Sequence, residues 1–179
     1  MDNTTKNMVL STAENIVNKI KYLETILHEA RIDLPAEYDA SKQGGYLCIY
    51  HQTMGLILLE QIGEISYRED PEFGDKARKY RNFALQKCVF LLTSKKKASE
   101  ETDFGIKGGI RMGDNFFLGY SGNIQNLDQL IVICLALKTR HLIDPSWNPL
   151  TGHDLFRKLI KKLCKKGNPF LDETIYTKI

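Results

Sequence analysis

The chain has 179 residues, of which 42% are hydrophobic and 26% charged, and a formal net charge of +3 at pH 7. These shares are close to those of ordinary globular domains, so they argue against a disordered or fibrous protein. The length suits one domain whose core needs no disulfides. The small positive charge does not by itself indicate a nucleic-acid partner.

The N-terminal segment and the apolar runs predict where the protein resides. Polar and charged residues such as Lys6, Glu14 and Lys19 interrupt every candidate signal-peptide core in the first thirty residues. The longest apolar run, around 130–137, is about half the length of a membrane span. We therefore expect a cytoplasmic protein with no transmembrane segment.

The cysteines predict neither a metal site nor a disulfide framework. They are widely spaced, form no C-x-x-C pair and each lie in an apolar run, at Cys48, Cys88, Cys134 and Cys164. In a reducing compartment this pattern is typical of small core residues.

The first third of the chain predicts a helix followed by a β-hairpin. Ser11-Thr12-Ala13-Glu14 has the form of a capping box, and apolar residues follow it at helical spacing, which predicts a helix over about 12–31. The apolar runs 46–50 and 56–62 are joined by the turn-like triplet Thr53-Met54-Gly55. Together they predict two antiparallel strands.

The middle of the chain predicts a second helix and a second hairpin. Apolar residues at three- and four-residue intervals predict the helix over about 74–94. The charged residues 94–103 predict an irregular connection, with Lys95-Lys96-Lys97 at a solvated helix end. Two arms, 105–112 and 116–121, flank Gly113-Asp114-Asn115, whose residues tolerate the positive φ angles of a tight turn.

Two further helices complete the pattern. Asn126 is the expected N-cap of a strongly apolar helix, with Gln129 at its N3 position. After a proline-marked loop, an apolar stripe predicts an amphipathic helix, formed by Leu155, Phe156, Leu159, Ile160 and Leu163. Its other face is basic and carries Arg157, Lys158, Lys161, Lys162, Lys165 and Lys166.

The order α-β-β-α-β-β-α, with an extra C-terminal helix, predicts an α+β fold. Hairpins joined by helices, without β-α-β alternation, favour an antiparallel sheet, here of about five strands, flanked by helices. We expect one domain over residues 1–143. We expect residues 144–179 to form a C-terminal extension whose basic amphipathic helix packs on the same domain.

A glycine-rich stretch carries a resemblance to a known family. Gly108-Gly109-Ile110, then Leu118-Gly119-Tyr120-Ser121-Gly122 and Asp128, resemble the signature of the GlcG and HbpS family, which is related to the C-terminal domain of PduO. The earlier hairpin, residues 46–55, is similar to that family's first hairpin. The resemblance covers about residues 12–140. It implies a five-stranded antiparallel sheet, formation of homo-oligomers, and in several members binding of haem or a related tetrapyrrole.

The resemblance implies a ligand site, for which haem is the candidate. Haem needs an axial ligand in an apolar pocket, and His51 is the best-placed histidine because it ends a strand beside apolar neighbours. The alternative is a partly exposed hairpin histidine bonded to backbone. The expected ligand-binding residues are Tyr50, His51, Met54, Gly108, Gly109, Arg111, Ser121 and Asp128.

Other functions stay open at this point. The same element order resembles roadblock and profilin-like domains, which implies a protein interaction module without a small ligand. The cations of the basic helix could meet phosphate, an acidic protein or anionic lipid, or could simply face water. Nucleic acid is disfavoured because no aromatic residues are interleaved with these cations. No nucleophile, base and orienting group have the spacing of a catalytic site.

Overall fold

The structure is a computed structural model that describes residues 3–29, 42–65, 73–99, 106–112, 115–123 and 125–138. Within these ranges the elements are α1 (Asn3–Glu29), β1 (Lys42–His51), β2 (Gly55–Ile65), α2 (Phe73–Ser94), β3 (Gly109–Met112), β4 (Phe116–Ser121) and α3 (Gln125–Lys138). The expected α-β-β-α-β-β-α order is confirmed. The C-terminal extension, including its basic helix, lies outside the described residues.

The strands form one antiparallel sheet in the order β2-β1-β4-β3. The described sheet thus has four strands, where about five were expected. Beyond β3, an isolated bridge joins Ala98 to Ile110. Backbone hydrogen bonds run from Ser99 N to Gly109 O at 3.0 Å and from Arg111 N to Lys97 O at 2.8 Å. Part of the connection expected to be irregular therefore lies along the edge of β3.

The sheet is covered by helices on both faces. α2 packs on one face, where Ala84, Cys88 and Leu91 form a buried cluster with Cys48 of β1 and Phe117 of β4. α1 contacts β1, β2 and α3, and α3 contacts β3 and β4, on the opposite face. Because side chains alternate between the two faces of a strand, both sets of strand residues are buried. The core prediction for Cys48 and Cys88 is confirmed.

α1 begins well before the predicted start near residue 12. Its buried residues include Val9, Ala13, Ile16 and Ile20, which follow one another at three- and four-residue intervals. Val9 therefore extends the apolar stripe upstream, and the capping-box serine, Ser11, lies exposed inside the helix. The tertiary burial of this stripe outweighs the local capping signal.

The first hairpin is longer than predicted and contains an irregularity. β1 and β2 pair from Lys42 with Ile65 to His51 with Gly55, and the register shifts between Ile49 and Tyr50. The shift leaves Ile57 without a directly opposite residue on β1, which is the arrangement of a β-bulge. Gly55 has a φ of 79°, as a tight turn requires.

Candidate functional site

A buried ion pair joins α2 to α3 at the end of the sheet where β4 ends. Lys87 Nζ lies 3.3 Å from Asp128 Oδ2, and the two side chains are 0% and 3% exposed. The same ammonium donates a hydrogen bond to the backbone oxygen of Tyr120 on β4. One side chain therefore connects three elements, α2, β4 and α3.

Asp128 lies in the first turn of α3, and its second oxygen is also occupied. Oδ1 accepts a hydrogen bond of 2.9 Å from the backbone N–H of Asn123. A negative charge at a helix N-terminus is further favoured by the helix dipole. The carboxylate thus fastens the loop between β4 and α3 as well as binding Lys87.

Burial shifts both partners towards their neutral forms. Loss of hydration raises the pKa of Asp128 to about 6, although the attraction of Lys87 and the backbone hydrogen bonds act in the opposite direction. Loss of hydration also lowers the pKa of Lys87, against the attraction of Asp128. The pair therefore costs desolvation energy that its mutual attraction offsets only in part.

Glycine is required at position 108 for this pair to form. The residue has a φ of 106°, and a Cβ built there would lie 2.7 Å from Lys87 Nζ and 2.6 Å from the oxygen of Tyr120. Gly119 meets a similar limit, since its Cβ would lie 2.0 Å from the backbone oxygen of Ala84. The glycines of this stretch let α2 approach the sheet and leave room for the ammonium group.

Side chains in the first turns of α3 bind the segment that leads into β3. Gln129 Oε1 accepts a hydrogen bond of 2.6 Å from Gly108 N, and Gln125 Oε1 accepts one of 3.1 Å from Lys107 N. The prediction that Asn126 caps this helix is wrong, because α3 already includes Gln125. Gln129 does not complete a capping box; its side chain instead accepts the hydrogen bond from Gly108, just before β3.

The chemistry available to this site is that of a structural connection. A lysine can act as a nucleophile when burial lowers its pKa, but the reacting amine must meet a substrate. Lys87 is fully buried and bonded to two oxygens. The nearby Tyr120 hydroxyl is buried, and no partner among the described residues accepts or donates a hydrogen bond to it.

The residues expected to bind one ligand lie at two separate ends of the sheet. Gly108, Gly109, Ser121 and Asp128 lie near the Lys87 pair, at the end of β4. Tyr50, His51 and Met54 lie at the first hairpin turn, where His51 is opposite Phe116 at the start of β4. The five residue steps of β4 separate the two groups by about 17 Å. The sheet does not bring them together.

His51 serves the turn that follows it. Its Nδ1 accepts hydrogen bonds of 3.3 Å from the backbone N–H groups of Thr53 and Met54, and its ring packs edge-on against Phe116. Burial lowers the pKa of His51, so the neutral form is favoured. With Nδ1 accepting, the neutral ring carries its proton on Nε2, and neither nitrogen offers a lone pair to iron in this state.

Arg111 holds the end of α2. Its guanidinium donates hydrogen bonds to the backbone oxygens of Leu91 at 2.6 Å and of Lys96 at 3.2 Å. Leu91 supplies one of the last four carbonyls of the helix, which have no partner inside it. The same guanidinium stacks on Phe117, 4.7 Å from the ring centroid. These contacts account for Arg111 without a ligand.

On the surface, a groove with a volume of about 380 Å³ lies between α1 and β2. Its apolar lining includes Leu10, Val17, Ile57 and Leu58. Glu14 and Glu60 add two carboxylates, and Glu60 lies 3.7 Å from Lys21. None of the residues expected to bind a ligand lines this groove.

Sequence reasoning did not identify Lys87 or the groove, and it gave Gln129 a capping role instead of its contact with Gly108. The missed signal for Lys87 is its position, three residues after Ala84 and four before Leu91 on the apolar stripe of α2. A cation on such a stripe must find a buried anion, because an unpaired buried charge is too costly. Asp128 is an acidic residue on a strongly apolar helix, and it could have been identified from the sequence as the partner of Lys87.

Within the described ranges, no group of three or more His, Cys, Asp or Glu residues is arranged to hold a metal ion. No helix in the same ranges is long and apolar enough to cross a membrane. Comparison with family models, curated proteins and solved structures finds no match.

Proposed function

We propose that this domain is a protein interaction module that associates with a second copy of itself through the outer edge of β2. The observation that carries the proposal is the position of β2, an 11-residue strand at one edge of the sheet. Its backbone groups on that side face no strand among the described residues. Such an edge is a ready template for another strand.

The two edges of the sheet differ in a way that favours β2. Residues 97–99 lie along part of the opposite edge and bond to β3 through two backbone hydrogen bonds. β2 is longer, and it carries partly exposed apolar residues, among them Leu56, which is 49% exposed. Native proteins usually protect such an edge or pair it.

The sequence of β2 is compatible with its own copy. In an antiparallel pair, residues that lie directly opposite each other have side chains on the same face of the sheet. When a two-fold axis relates the two strands, one residue must therefore lie opposite its own copy, and this residue is the centre of the register. Centring on Glu60 would set two carboxylates opposite each other, which is unfavourable. Centring on Gln61 sets Glu60 opposite Ile62 and Glu64 opposite Leu58, and uses the regular part of the ladder after the bulge. We therefore assign the axis to Gln61.

Binding of haem or another tetrapyrrole, implied by the resemblance to the GlcG family, is a separate proposal with less support. The separation of the expected ligand residues and the Nδ1 hydrogen bonds of His51 both oppose it. Haem titration of the protein and of His51→Ala, followed by absorption spectroscopy, distinguishes the two functions. A haem spectrum that depends on His51 would favour the tetrapyrrole.

The experiment for self-association uses charge at position 61. In sedimentation equilibrium we expect the wild-type chain to form dimers, and Gln61→Lys and Gln61→Glu each to dimerise about fivefold more weakly, since like charges then face each other. Mixing the two variants should restore dimers. Gln86→Lys, on the exposed face of α2, is the matched control and should dimerise normally.

Three results would overturn the proposal in different ways. A wild-type chain that stays monomeric would rule out self-association. Dimers that neither charge at position 61 weakens would keep self-association and rule out the β2 edge as the interface. A mixture of the two variants that fails to recover dimers would also rule out the two-fold register centred on Gln61.

A further inference from the structure

The groove between α1 and β2 combines an apolar floor with two acidic groups. Leu10 of α1 and Ile57 and Leu58 of β2 contribute apolar lining, and Leu10 is still 39% exposed. Glu14 and Glu60 contribute the carboxylates. An exposed apolar surface bordered by two carboxylates, one of which also lies 3.7 Å from Lys21, fits an amphipathic partner that carries cations.

The C-terminal sequence has these complementary properties. Between residues 154 and 166, five apolar residues recur at helical spacing, and six cations occupy most of the other positions, with Asp154 and Cys164 in the remaining two. Its apolar stripe would extend over about 12 Å. Cations that flank such a stripe would come close to carboxylates at the border of the groove.

The chain is also long enough to reach the groove. α3 ends at Lys138, and residues 139–153 could span up to about 50 Å if extended. A tether of this length gives the segment an effective concentration near the millimolar range at sites within its reach. A separate protein that binds this groove with the same affinity would need a concentration above the millimolar range to displace the tethered segment. This comparison favours the chain's own segment over an outside protein.

We propose that residues 154–166 bind in the α1–β2 groove of the same chain, with their apolar stripe on Leu10, Ile57 and Leu58 and their lysines near Glu14 and Glu60. The inference does not depend on self-association, because it concerns the face of β2 that α1 covers, whereas self-association concerns the outer edge. It gives the basic helix a specific position on the domain.

The test is zero-length carbodiimide cross-linking of the full chain, which joins a carboxylate to a lysine in direct contact, followed by mass spectrometry. Glu60 and Lys21 form an internal positive control, since their charged atoms lie 3.7 Å apart. We expect further links from Glu14 or Glu60 to Lys158, Lys161, Lys162, Lys165 or Lys166. A mixture of ¹⁴N- and ¹⁵N-labelled protein should show that these links form within one chain.

Two variants test whether the cross-links depend on the apolar contact between the C-terminal segment and the groove. Leu159→Asp should reduce the C-terminal cross-links at least fivefold and leave the Glu60–Lys21 link unchanged. Val89→Asp, at an exposed apolar position on α2, is the matched control and should change neither. The proposal is overturned if only the control link forms, if the C-terminal links join different chains, or if they survive Leu159→Asp.

Discussion

The Lys87–Asp128 junction and the α1–β2 edge show opposite uses of polar and apolar groups. At the junction, two charged side chains are buried and both make further hydrogen bonds to backbone. At the edge, Leu10 and Leu56 are exposed, and Glu60 meets Lys21 at the surface, where each side chain is about half exposed. At the junction, both charged groups bond partners within the fold. At the edge, the outer backbone groups of β2 face no strand among the described residues. This difference is the basis for our proposal that the first region is structural and that the second binds a partner.

Removing one member of the buried pair should have the largest effect. Lys87→Ala leaves the Asp128 carboxylate buried without its cation, and we expect a loss of about 3–5 kcal/mol in the free energy of unfolding, measured by denaturant titration. The double variant Lys87→Met, Asp128→Leu should recover most of this loss, because no charge remains buried. An edge variant such as Gln61→Lys should cost less than about 1 kcal/mol. If Lys87→Ala destabilises the protein no more than Gln61→Lys does, the buried pair is not important for stability.

A methyl group at Gly108 should have the next largest effect. Gly108→Ala combines an unfavourable positive φ with contacts closer than 3 Å, so we expect about 3 kcal/mol of destabilisation. Gly55→Ala is the matched control. Its φ of 79° is also positive, but the new Cβ would lie 3.8 Å from the Tyr50 hydroxyl, an ordinary contact, so only about 1 kcal/mol is expected. Equal losses for the two variants would show that crowding around Lys87 is not important.

The third prediction concerns pH and is the smallest. The pKa of Asp128 is raised by burial from 3.8 to about 6, so between these values the folded state binds more protons than the unfolded state. This group's contribution to stability is therefore complete below about pH 4 and is lost as the pH rises to about 6, by at most about 3 kcal/mol. The difference in unfolding free energy between wild type and Asp128→Asn should fall over that range. A difference that stays constant or rises would mean that the pKa is not raised.

The sequence predicted the elements of the fold more reliably than their ends or contacts. The period of the apolar residues identified all three described helices, and the two hairpins followed from apolar runs bounded by turn residues. The start of α1 was misplaced because Ser11 offers a local cap that the buried stripe overrides. Asn126 was misassigned for a similar reason, since the helix includes the residue before it.

The candidate site was less accessible to sequence reasoning. Gly108 and Asp128 were selected from the resemblance, and they do lie together. Lys87, which bonds Asp128 and lies close to Gly108, is on another helix 41 residues before Asp128. His51 was selected as a ligand, and its Nδ1 instead accepts hydrogen bonds from the turn. Periodicity reports which face of an element is buried and does not report which buried groups meet.

What the sequence determined by itself is the set of elements, because apolar spacing and turn residues act over a few neighbouring positions. What only the tertiary structure decided is which residues from distant elements come into contact: the pairing of Lys87 with Asp128, the groove beside α1, and the outer edge of β2, which faces no strand in the described part of the chain. These features arise from packing three helices on one sheet, and packing depends on the shapes of all the surfaces at once.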